Sequence, residues 1–113
     1  HGGIDIAGIP KGTPIYNMYS GIVEYSGWAN GYGNMVSIYN TEGLYQGLNM
    51  RYAHMSAPSP LTVNSMVSAG DLIGTVGNSG TRAIHLHIDA GYGTFTPRTE
   101  RINLDPLFMR IYP

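Results

Sequence analysis

The chain has no cysteine, which excludes disulfides, thiolate metal sites and a cysteine nucleophile, and leaves the redox compartment unreadable. Any bound metal must therefore be held by His, Asp or Glu. Charge is also scarce: 12% of the residues are charged and the formal net charge is −1. The basic residues Lys11, Arg51, Arg82, Arg98, Arg101 and Arg110 form no run, so the footprint of a nucleic-acid binder is missing and no nucleic-acid partner is expected. Long apolar runs are absent too, with nothing approaching the ~20 residues that cross a bilayer, so no membrane span is expected in this segment. Neither a secretory signal pattern nor an initiator methionine precedes His1, and His1 is expected to be internal in a longer chain.

What is abundant is glycine, with 16 residues, and tyrosine, with 9. That composition suits a turn-rich β protein with an aromatic, nearly neutral surface, fitted to sugars or peptides more than to phosphates. The length of 113 residues predicts a single domain over 1–113. No helical periodicity of useful length occurs, whereas short β-rich runs recur between Gly, Pro and Asn, so the fold is expected to be all-β and mostly antiparallel. Candidate strands are Ile15–Met18, Gly21–Tyr25, Met35–Tyr39, Leu48–Met55, Ser65–Val67, Leu72–Val76 and Ala83–Ala90. Breaks are expected at Gly27–Gly33, Thr41–Gly47, Ala57–Pro60, Ala69–Asp71 and Gly77–Thr81. Asn103–Pro106 is read as a capped helical turn.

Two of the chain's 4 histidines fall in the stretch Ala83–Asp89, AIHLHID. On a strand His85 and His87 share one face, while Ile84, Leu86 and Ile88 point to the other and read as core. Alone, such a pair is more often a partly exposed polar face than a site. The stretch His1–Asp5, HGGID, places an imidazole and a carboxylate four residues apart on a glycine path that allows both to converge on one ion. In Tyr52–Met55, YAHM, Tyr52 and His54 are expected to share a strand face.

Together these elements resemble the lysostaphin/LytM-type family of zinc metallo-endopeptidases that cut peptidoglycan peptides. HGGIDIA at His1–Ala7, YAHM at Tyr52–Met55 and HLHID at His85–Asp89 follow the family pattern in order and spacing. VSAGDLIG at Val67–Gly74 and YGNMV at Tyr32–Val36 resemble its hairpin and strand motifs. The resemblance implies a small LytM-like domain with a duplicated β-hairpin and a groove, and one zinc ion held by His1, Asp5 and His87. It further implies that His54 and His85 form the catalytic pair, one, assigned as His85, taking the proton of a water and the other assisting the tetrahedral intermediate or the leaving amine, with the exchanged assignment left open. A His/His/carboxylate set with one open position suits a catalytic zinc, and an imidazole of pKa near ~6.5 removes the need for a glutamate base.

Trp28, Tyr32 and Tyr92 lie in glycine-rich stretches and are expected to line a substrate groove. The implied partner is a bacterial peptidoglycan peptide, with flanking domains in the full-length chain and an extracellular, cell-envelope or virion-associated location. The pattern departs from the family at Arg82-Ala83-Ile84, where a small-residue step usually precedes H-L-H, and an upstream strand usual in the family is absent. Two other readings stay open. A metal-free relative would act as a cell-wall binding or scaffold module, and a histidine-brace copper oxidase would use an N-terminal His1. A lipoyl or biotinyl carrier is excluded, since the sole lysine, Lys11, lies far from the Val67–Gly74 hairpin.

Overall fold

A computed structural model describes residues 3–92 and the backbone of 101–102. In chain order the strands are β1 (Ile4–Ala7), β2 (Pro14–Tyr16), β3 (Gly21–Ala29), β4 (Gly33–Asn40), β5 (Asn49–Met55), β6 (Met66–Val67), β7 (Leu72–Thr75), β8 (His85–Gly91) and β9 (Arg101–Ile102). No helix occurs among the described residues, and every strand pairing is antiparallel. The larger sheet runs β1-β8-β5-β4-β3-β6, with β9 also on β8, and β2 and β7 make a separate two-stranded sheet. The all-β, mostly antiparallel expectation holds.

Strand alternation sorts the side chains. Leu86, Ile88 and Ala90 of β8 join Val36, Ile38, Met50, Tyr52 and Val23 in one buried cluster, to which the small sheet adds Ile15 and Ile73. Burying each such large apolar side chain is worth about 1.5–3 kcal/mol, so this face holds the large sheet to the small one. The opposite face of the same strands carries His85, His87 and Asp89, and beside them a smaller cluster of Ala29, Tyr32, Met35 and Ala53. The site is thus built on the back of the core, on strands whose positions the core fixes.

Three expectations need correcting. Ile4–Ala7, absent from the expected strands, is a strand on the edge of the sheet, because Ile4 and Ile6 pack on the main core while Asp5 faces the other way. The break expected over Gly27–Gly33 is mostly hairpin: Gly27, Trp28 and Ala29 pair with Met35, Asn34 and Gly33. Pairing overrides the local glycine signal there, and the turn closes with the Tyr32 amide donating to the Ala29 carbonyl at 2.9 Å. Ile84, expected in the core, precedes the first paired residue of β8 and is 40% exposed. The helical turn expected at Asn103–Pro106 lies outside the described residues.

Candidate functional site

β1 and β8 are in a register that sets Asp5 directly against His87. Their side chains meet, with the Asp5 Oδ1 2.7 Å from His87 Nδ1. The second ring nitrogen of His87, Nε2, lies 2.9 Å from the Oδ2 of Asp89. His85, one strand period earlier on the same face, places Nε2 3.7 Å from the same Asp5 oxygen. Gly3 lies against the His87 ring so closely that a Cβ there would sit 2.2 Å from Cε1.

His54 reaches this cluster by a backbone irregularity. Strict alternation would send its side chain to the core side with Tyr52, which is fully buried and whose hydroxyl accepts the Met18 amide. The β4–β5 register shifts between Asn34 and Val36, and His54 takes φ of 60°, a left-handed conformation that costs an L residue about 1–3 kcal/mol. The consequence is a ring centroid 4.7 Å from His85 and 6.0 Å from His87. The expectation that Tyr52 and His54 share a face is therefore overturned by a β-bulge.

The loop before β8 secures both imidazoles. The Nδ1 of His54 donates to the Ser79 carbonyl at 2.7 Å, and the Nδ1 of His85 to the Ala83 carbonyl at 2.9 Å. Ser79 is itself pinned, its hydroxyl accepting the Asn34 amide at 2.9 Å and donating to the Met55 carbonyl at 2.6 Å. Gly33, at φ of 67°, leaves room for this approach, since a Cβ there would lie 2.2 Å from the Ser79 carbonyl oxygen. With both Nδ1 atoms occupied as donors, each ring presents Nε2 to the site.

Burial depresses the His54 pKa, outweighing the hydrogen bond to Ser79, and the neighbouring His85 and His87 add to the depression. Burial also acts against protonation of His87 and is its largest single influence. The hydrogen bonds and negative charges of Asp89 and Asp5 together outweigh it, so the His87 pKa is raised. Carboxylates at both nitrogens favour the protonated ring in the metal-free chain, and another cation would compete there with that proton.

This geometry agrees with what sequence comparison finds, for residues 1–97 match the family described as Peptidase family M23. The chain belongs to peptidase family M23. Over 91 residues it is 40% identical to the DD-carboxypeptidase/endopeptidase Mpg of Neisseria meningitidis, covering 80% of this chain and 20% of that protein. It is 36% identical over 91 residues to the murein hydrolase activator NlpD of Escherichia coli, covering 80% of this chain and 22% of the relative. The catalytic domain of the antimicrobial peptidase lysostaphin from Staphylococcus simulans matches with a TM-score of 0.76 at 30% identity, over 95% of this chain and 76% of that one. The M23 segment thus spans about a fifth of the length of these two curated relatives.

Of the residues expected at the M23 site, Asp5, His54, His85 and His87 come together, and His1 lies outside the described residues. Among the described residues no group of three or more His, Cys, Asp or Glu is arranged to hold a metal ion. Those present nonetheless fit one, because a carboxylate oxygen and an imidazole nitrogen converge, and both can be ligands of zinc. Trp28 and Tyr92 are exposed. Tyr32 is not on a groove wall: it is buried, its ring edge-on to His87, and its hydroxyl donates to Asp89 Oδ2 at 3.0 Å. Residues given no role by the sequence reading are Asp89, Arg51 and Ser79. Asp89 was findable, since it continues the period-two face of His85 and His87, and Arg51 shares the face of Ala53, the cross-strand neighbour of His87.

Proposed function

We propose that this chain is a zinc-dependent endopeptidase domain that hydrolyses peptide cross-links of bacterial peptidoglycan. The observation that carries this reading is the 2.7 Å meeting of Asp5 and His87 beside two further imidazoles, delivered from three separate strands. Asp5 and His87, with His1, would hold the metal. When bound, zinc would polarise the scissile carbonyl and lower the pKa of a water toward ~7.

The chain's own residues then divide the proton transfer. His85 presents Nε2 3.7 Å from Asp5 Oδ1 and would take the water's proton. His54, whose ring lies 4.7 Å from that of His85, would receive this proton at Nε2 and, being a stronger acid because burial depresses its pKa, pass it to the leaving amine. Trp28 and Tyr92, both exposed, supply apolar surface for the substrate peptide. Given the fifth of its relatives' length that it spans, the domain would work within a longer envelope or extracellular protein.

A second reading, a metal-free module, is favoured by the similarity to a murein hydrolase activator. Retention of Asp5, His54, His85 and His87 in one cluster speaks for the enzyme. The copper-oxidase reading leaves Asp5 and the His54–His85 pair without a task.

The test is metal analysis of the purified protein together with digestion of sacculi that are directly cross-linked or glycine-bridged, with products identified by mass. Zinc near one per chain and release of cleaved stem peptides are expected. His54→Ala and His85→Ala should keep zinc while losing about a hundred-fold or more in rate. Absence of zinc, or zinc without cleavage of either substrate, refutes the enzyme reading in favour of the metal-free module.

A further inference from the structure

We propose that Asp89 is a positioning residue for metal capture: its carboxylate, held by Arg51 and Tyr32, fixes the proton of His87 on Nε2 and so presents Nδ1 to the cation. This inference rests on the metal reading above and adds a residue to it. Its basis is the polar chain behind the site. Asp89 is fully buried, and its Oδ2 faces His87 Nε2 at 2.9 Å, while the Asp5 oxygen faces the opposite nitrogen, Nδ1. In the metal-free chain both nitrogens face carboxylates; once a cation takes the place of the Nδ1 proton beside Asp5 the ring is neutral, and its remaining proton stays on Nε2 against Asp89.

Asp89 cannot easily turn away from this duty. Arg51 NH1 donates to Oδ1 at 3.2 Å, and the Tyr32 hydroxyl donates to Oδ2 at 3.0 Å. Arg51 is itself fully buried on β5, paired in register with Asp89 on β8. A buried carboxylate is costly unless charge and hydrogen bonds compensate, and here a guanidinium, a phenol and an imidazole do so together. Carboxylate contacts of this kind on a metal-binding histidine orient the ring and raise its ligand strength, and their loss typically weakens metal affinity about 10- to 100-fold.

Zinc affinity is measured by competition with a chromophoric chelator for the wild type, Asp89→Asn and Tyr32→Phe, with folding checked by circular dichroism. An amide offers one acceptor oxygen to three donors, so Asp89→Asn should bind zinc about 10- to 100-fold more weakly. In the zinc-loaded wild type the His87 ring N–H should appear by NMR as a slowly exchanging proton on Nε2, and exchange fast in Asp89→Asn. If Asp89→Asn fails to fold, Tyr32→Phe decides, since it removes one hydroxyl and keeps the carboxylate: a several-fold weaker affinity supports the inference and an unchanged one overturns it. A folded Asp89→Asn with wild-type affinity and a protected ring N–H overturns the inference while leaving the metal reading intact. A wild-type chain that takes up no zinc overturns both.

Discussion

Adding one methyl group at Gly3 should disable the site without replacing any metal-binding or catalytic side chain. Gly3 does not occupy the left-handed region, so alanine brings no backbone strain, and the whole effect is steric. The new Cβ would lie 2.2 Å from Cε1, 2.8 Å from Nε2 and 3.1 Å from Nδ1 of His87, whereas ordinary contact begins at 3.4 Å. The nearest of these contacts must open by more than an ångström. The ring cannot take up that movement freely, since its nitrogens are engaged by Asp5 and Asp89 at 2.7 and 2.9 Å. Nor can the start of β1 move alone, because Ile4 pairs with Ile88 and carries Asp5 with it.

Overpacking of this size costs about 1–3 kcal/mol of stability. Zinc–ligand distances tolerate only about 0.2 Å, and a 1 Å misplacement of a reacting group costs on the order of a hundred-fold in rate. Gly3→Ala should therefore remain folded, with a modest fall in melting temperature, and lose about a hundred-fold in turnover together with a large part of its zinc affinity. Chelator competition, peptide-release kinetics and thermal unfolding on the same preparation provide the three readings. Wild-type turnover and affinity in a folded Gly3→Ala would show that the glycine's contact with His87 does not constrain the site.

Arg51→Met should cost about 3–5 kcal/mol in urea unfolding, because the buried Asp89 carboxylate would lose its cation, and a loss below about 1 kcal/mol would contradict the assigned pairing. At His54 the backbone and the ring are separable: His54→Asn should keep the wild-type stability, since Asn tolerates φ of 60°, whereas His54→Val should lose about 1–3 kcal/mol, and both should lose activity. Equal stabilities for the two variants would argue against the left-handed conformation. The two perturbed histidines give opposite pH signatures in the metal-free protein. The raised pKa of His87 contributes stability that is full below the unfolded value near ~6.5 and is lost as pH rises through the folded pKa. The depressed pKa of His54 contributes stability above the unfolded value and loses it as pH falls through the folded pKa. Since zinc must displace the proton on His87 Nδ1, its affinity should rise as pH rises above about 6.5 and through the raised His87 pKa, and a flat profile would exclude a proton on that nitrogen.

The sequence by itself determined the all-β class and most of the strands through period-two alternation and turn residues, and its resemblance to family motifs in fixed order named His1, Asp5, His54, His85 and His87 as candidates. It missed β1 because four residues after two glycines carry too little local preference, and pairing with β8 supplies the rest. It placed His54 on the wrong face because a bulge is set by the register between two strands, which no single strand records. Only the tertiary structure decided that Tyr32 stands behind the site instead of lining it, and that Arg51, distant in sequence, neutralises Asp89. The physical reason is common to these cases: a side chain's direction along a strand is local, but which charge it meets depends on the neighbouring strand, and that choice is made by burial of the opposite face.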